Sequence, residues 1–205
     1  MMQTVAVRMR PRPPAAGFTL IELLVVVTLG AILLALGVPS MQRFIVDNRL
    51  KSVNGQLITD LQFARAEAAA RNLPVYWSMR VQSGTRTCYT IYSSTIDGAE
   101  CNCTLGAGNA CTTANQVEIK TVEIRWDSKV RIQAPGLTRI GFDHVNGGQY
   151  YGTSDFADAV LSDFVIDTVV IGEPTRKLRT AISPAGRPLV CLPTGSVRYA
   201  GYNAC

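Results

Sequence analysis

The chain has 205 residues, room for one modest domain once a targeting segment is set aside, and 47% of them are hydrophobic. Its formal charge of +5 invites a nucleic-acid reading, yet Arg8, Arg10 and Arg12 sit in the first 17 residues, which hold no acid. The remainder carries 17 Lys and Arg against 15 Asp and Glu, a balance of +2, which removes global basicity as an argument.

Residues 1–17 are rich in Arg and Pro and end at Gly17. A secretory signal peptide places its apolar stretch before the cleavage point; here the order is reversed. Between Leu23 and Val38 only Thr28, Gly30 and Gly37 interrupt the apolar run. The 21 residues from Phe18 to Val38 suffice to cross about 30 Å of hydrocarbon as a helix. Arginines on the leader side hold that end in the cytoplasm, so the larger part of the chain faces outward. Glu22 is out of place in a simple anchor. An acid deep in a bilayer costs on the order of 3 kcal/mol and is usually partnered; near the helix start it can also reach the interface.

Beyond Pro39 a helical period continues. Val46, Leu50, Val53, Leu57, Leu61, Ala64 and Ala68 fall at steps of three or four, the stripe of an amphipathic helix packed on a domain, with Asp47, Lys51, Asp60, Arg65 and Arg71 on other faces. Pro74, with Asn72 just before it, marks the stop. A helix over 18–72 would reach about 80 Å, with Pro39 removing one hydrogen bond on the way.

Past Pro74 the period changes to two: Val75, Trp77, Met79 and Val81 alternate with Tyr76, Ser78 and Arg80, as in a half-buried strand. Further strands are expected at 88–92, 117–126, 138–142, 159–171, 178–183 and 188–192. Turn residues separate them: Asp97-Gly98, Pro135-Gly136, Asn146-Gly147-Gly148, Glu173-Pro174 and Pro184-Ala185-Gly186. A helix followed by antiparallel strands gives an α+β fold.

All six cysteines (Cys88, Cys101, Cys103, Cys111, Cys191 and Cys205) follow the apolar run, which suggests disulfides in an oxidising compartment. Cys101 and Cys103 are too close to pair comfortably with each other. Cys191 and Cys205 could close the segment between them, and Cys88 is expected to bond within the 101–111 region of a long Gly-, Thr- and Asn-rich loop, where three cysteines compete. The alternative is a metal site from the C-x-C and Cys111, but its spacing fits no common zinc module and the single histidine, His144, is distant.

Two stretches carry a resemblance. Gly17-Phe18-Thr19-Leu20-Ile21-Glu22-Leu23 resembles the class III signal of type IV prepilins. The resemblance implies cleavage after Gly17 by a prepilin peptidase, N-methylation of Phe18, Glu22 as the assembly glutamate that meets a neighbour's amine, and Pro39 as a helix-kinking proline. Asp60-Leu61-Gln62-Phe63-Ala64-Arg65-Ala66-Glu67-Ala68, continuing through Arg71-Asn72-Leu73-Pro74-Val75, is similar to the helix end of the GspH/FimT group of minor pseudopilins and minor pilins. The implied architecture is pilin-like. It comprises a leader over 1–17, a transmembrane helix half over 18–38, an amphipathic half over 39–73, and a β-rich periplasmic domain over 74–205. Its implied partners are other pilins or pseudopilins, the prepilin peptidase and an inner-membrane assembly platform.

No Walker loop, dinucleotide fingerprint or nucleophile motif appears, so neither an enzyme nor a cofactor is expected. Asp155, Asp158, Asp163 and Asp167 do not match an EF-hand loop and are expected to form a solvated acidic face. The tail is basic: Arg176, Lys177, Arg179, Arg187 and Arg198 lie beyond Glu173, and no acid follows it. Clustered cations bind phosphates without reading sequence. FimT-like minor pilins that bind DNA use a C-terminal Gly-Arg-x-Arg element. Gly186-Arg187-Pro188-Leu189 matches its first half, with Leu189 in place of the second arginine and Arg198 as a substitute from elsewhere. A structural subunit of a pilus or pseudopilus is thus the first expectation, and capture of double-stranded DNA the second.

Overall fold

A computed structural model describes residues 17–205 apart from 83, 96–99, 135, 137 and 151–162. The chain divides into two units, one ending at Gln42 and one spanning Arg43–Cys205. One helix, α1 (Leu20–Arg71), runs through both. Thr19 accepts the Glu22 backbone N–H at 3.3 Å, so Thr19 and Glu22 stand at the N-cap and N3 positions of the start. Asn72, left-handed at φ 53°, follows the last turn, and Pro74 cannot extend the helix.

In the first unit the apolar side chains of Phe18 to Leu34 are exposed, from 47% at Val25 to 84% at Leu20. Pro39 lies inside the helical run, and its side chain is outside the described residues.

Among the described residues of the second unit nine strands follow: β1 (Val75–Gln82), β2 (Arg86–Ser94), β3 (Gln116–Arg125), β4 (Val130–Gln133), β5 (Arg139–Phe142), β6 (Gln149–Tyr150), β7 (Phe164–Val170), β8 (Glu173–Ile182) and β9 (Pro188–Cys191). They form two antiparallel sheets, ordered β3-β2-β1-β5-β6 and β4-β7-β8-β9. β4 and β6 are additions to the strands expected from sequence, and both are short. Glu173-Pro174 was expected to turn, but the turn falls at Ile171-Gly172, where Gly172 supplies φ +85°. Pro174 is tolerated because the β7–β8 ladder is irregular there.

The helical stripe does what its period predicts. Leu57, Leu61, Ala64 and Ala68 are fully buried and join Trp77, Met79, Ile91 and Phe142 of one sheet and Ile132, Phe164, Ile166 and Ile182 beside the other in a single core. A second cluster gathers Leu50, Val130, Val170, Leu178, Leu192 and Tyr199. Each buried leucine or phenylalanine contributes roughly 1.5–3 kcal/mol relative to exposure.

β1 departs from simple alternation: Val75 through Met79 are all buried. Its second face is covered because Tyr76 and Tyr92 pack against Cys101 and Ala110 of the cysteine-rich loop. That loop is fixed by Cys88–Cys103 and Cys101–Cys111 disulfides, and Cys191–Cys205 closes the last segment. All six sulfurs are thereby used, which leaves the C-x-C no thiolate for a metal. Cross-links over loops of this size are worth on the order of 3 kcal/mol each.

Glu118 of β3 also holds the loop, accepting the N–H groups of Gly108 and Ala110, each at 2.9 Å, and the Thr121 hydroxyl at 2.6 Å. Burial opposes the charge, but these hydrogen bonds outweigh it and hold the carboxyl below its ordinary range. A depressed pKa contributes stability above the unfolded value and loses it as pH falls through the folded value. Glu118→Gln should therefore lower stability at pH 7 by no more than about 1 kcal/mol, because solvent screens a carboxylate that is only half-buried, with the gap from wild type closing below about pH 4. Urea unfolding of both proteins across that range is the check.

Candidate functional site

Two surfaces concern function: the exposed helix of the first unit, and the charged face of the second.

Phe18 is 83% exposed and Glu22 lies one turn beyond it, so an amine freed at Phe18 would share a helix start with the Glu22 carboxylate. The following window is long and apolar enough to cross a membrane, and none of it is buried within the chain. An uninterrupted apolar face of this kind requires lipid or other helices around it.

The charged tail is not one patch. Arg176 is only 8% exposed; its guanidinium pairs with Asp47, bonds Glu173 at 3.1 Å and donates to the Arg43 carbonyl at 3.2 Å. Burial would weaken its proton affinity, but bonds to Asp47, Tyr199 and Glu173 raise it. Tyr199 donates to Asp47 at 2.9 Å, and Lys51 stands 5.5 Å over the Tyr199 ring. This cluster fastens the helix to the segment closed by Cys191–Cys205. Arg179 is committed as well, in a bidentate pair with Asp167 at 2.7 and 2.9 Å across the β7–β8 ladder, which raises its pKa.

These findings correct three expectations. Arg176 and Arg179 are spent on internal carboxylates and cannot serve as free phosphate ligands. Asp167 is 3% exposed and ion-paired instead of belonging to a solvated acidic face; Asp163 is exposed, and Asp155 and Asp158 lie outside the described residues. Arg198 does not replace the missing arginine. Arg187 lies on the turn joining β8 to β9, whereas Arg198 lies beyond the other end of β9, in a separate cleft with Tyr199 and Tyr202. Lys177 is half-buried; Arg187 and Arg198 are exposed.

What sequence reasoning missed is the company Arg187 keeps. A cleft of about 670 Å³ is lined by Arg187 and Pro188, by Gln62 and Arg65 of α1, and by Val145 and Asn146 of the β5–β6 turn. Arg65 donates from Nε to the Gly147 carbonyl at 2.9 Å. Gly186, at φ +72°, presses against Gly147 so closely that a Cβ would lie 2.2 Å from its carbonyl oxygen. The turn expected at Pro184-Ala185-Gly186 thus needs glycine for contact as well as for conformation. No local pattern links residues 65, 146 and 187; folding alone joins them.

An exposed apolar helix, capped by Thr19 and continued into a helix packed on two antiparallel sheets, defines a pilin-like subunit. Comparison by sequence agrees. The prokaryotic N-terminal methylation motif matches residues 12–38, and the family described as Type II transport protein GspH matches residues 55–186. This chain belongs to the GspH family, and with the methylation motif it is a membrane-anchored member of the minor pilins and pseudopilins. Among solved structures, the type IV minor pilin FimU of Pseudomonas aeruginosa (strain PAO1) is similar, with a TM-score of 0.48, 14% identity, and coverage of 72% of this chain and 91% of that one. No curated protein matches this sequence.

Proposed function

We propose that this chain is a low-abundance subunit that primes or caps a type II secretion pseudopilus or a type IV pilus. In this reading, prepilin peptidase cuts after Gly17 and methylates Phe18. The helix is held in the inner membrane until an assembly platform passes it to other pilins, and the disulfide-bonded domain lies in the periplasm. The observation that carries the proposal is the helix surface. Phe18 to Leu34 present apolar side chains that no described residue covers, with a single acid, Glu22, among them. Such a surface suits association in lipid, where an embedded acid is stable when it finds a cation.

Deletion of the gene, assayed for twitching, transformation and exoprotein release, is the test. Loss of release alone identifies a secretion pseudopilus, and loss of twitching or transformation identifies a pilus. Unchanged behaviour in all three, with unchanged filament number, would overturn the proposal.

A further inference from the structure

From the cleft at the far end of α1 we infer that the domain has a receptor site for a carboxylate-bearing, partly apolar peptide segment, supplied by a neighbouring subunit of the assembly. The inference rests on the assembly reading above and adds to it a contact outside the membrane.

The chemistry comes from two guanidinium groups on a rigid frame. Arg65 is half-buried and its Nε is held by the Gly147 carbonyl, which fixes the plane of the group. Arg187 is exposed on a turn closed by Gly186 N–H to Ser183 O at 2.7 Å and Ser183 N–H to Arg187 O at 3.0 Å. Among the described residues neither has a carboxylate partner, unlike Arg176 and Arg179 in the same domain. Among the described residues, the acids beside these segments in sequence are occupied. Asp143 accepts the N–H groups of Val145 and Asn146 and lies 3.4 Å from His144 Nδ1; Glu67 pairs with Arg71. One guanidinium held in place and a second on the adjoining turn, neither with a carboxylate partner among the described residues, suit a carboxylate, and Gln62 and Asn146 supply amides at the same cleft.

The apolar part narrows the ligand. Val145 is 80% exposed on the lining, and Leu189, 68% exposed, follows Pro188 on the edge strand β9. Solvated apolar side chains beside unpaired guanidiniums match a segment that alternates acidic and apolar residues. A nucleic acid is matched less well, since among the described residues no Phe, Tyr or Trp lines the cleft to stack a base.

The test is photo-crosslinking in the native cell with the full chain. A benzophenone side chain is placed at Val145 for the cleft and, in a separate strain, at Leu24 for the helix. The Val145 position should form an adduct with a co-assembled subunit, and mass spectrometry should map it to a segment containing Asp or Glu. Arg187→Glu should reduce that adduct about tenfold or more while leaving the Leu24 adduct and the melting temperature unchanged, because Arg187 is exposed. Reversing the mapped acid to Arg should restore the adduct with Arg187→Glu. Leu24 adducts without Val145 adducts would overturn the cleft inference alone, whereas adducts at neither position would overturn the assembly reading. A Val145 adduct indifferent to Arg187→Glu, mapped to a segment without acids, or formed with DNA would replace the peptide carboxylate by another ligand.

Discussion

Glu22→Gln should be produced, inserted and folded like wild type, yet its incorporation into filaments or minor-pilin complexes should fall about tenfold or more. That is the size expected when a charge loses its partner in a medium of low dielectric. The choice of Gln matters because Glu22 has a second role in the structure. Thr19 accepts the Glu22 backbone N–H, so the residue occupies N3 of a capping arrangement, where Gln serves as well as Glu. The Thr19 cap reaches the backbone N–H of residue 22 and survives in either variant; Glu22→Ala shortens the N3 side chain as well as removing its charge, whereas Glu22→Gln removes only the charge. A shared assembly defect in both variants identifies the charge as the cause. A defect confined to Glu22→Ala would show that helix initiation matters, and normal incorporation of both would remove the assembly role. Quantitative immunoblotting of sheared filaments and of co-purified subunits is the measurement.

The second large effect is expected inside the domain. Asp60 lies off the apolar stripe of the helix, yet it is 2% exposed and accepts Tyr89 Oη at 2.7 Å and Lys120 Nζ at 2.6 Å. One helix side chain thus ties α1 to β2 and β3. Burial, then the bond to Asp60, raises the Tyr89 pKa, so the phenol stays a donor at every physiological pH. Asp60→Ala would leave that buried hydroxyl without an acceptor, while Lys120, 41% exposed, would recover water. The expected loss is about 2–4 kcal/mol. Tyr89→Phe in the Asp60→Ala background should restore part of it by removing the orphaned hydroxyl, whereas Tyr89→Phe alone should destabilise. Additive losses in that cycle, measured by urea unfolding, would show that the two groups are not coupled.

How much of this could be read in the chain depends on the range of each interaction. Leu50, Leu57, Leu61, Ala64 and Ala68 were legible because one period maps them onto one buried face. The α+β class followed from the change of period at Pro74. Polarity misled at Arg176, Arg179 and Asp167, since each is buried or half-buried through a partner distant in sequence, and no local pattern announces a partner. β4, only Val130–Gln133, was too short to stand out beside a 3-10 turn, so the sheet that contains it was legible only through β7, β8 and β9. Burial of both faces of β1 required knowing that the cysteine-rich loop folds over Tyr76 and Tyr92. The Arg65–Arg187 cleft is the extreme case, assembled from three segments by a glycine–glycine contact.

The central claim is that this chain enters the membrane as a prepilin and leaves its leader behind. Purification of the protein from membranes of its own cells, followed by mass spectrometry of the N-terminal peptide, tests it directly. The expected peptide begins at Phe18 and carries one added methyl group on its amine. A peptide beginning at Met1 or Met2, in cells whose prepilin peptidase is active on other substrates, would contradict the account.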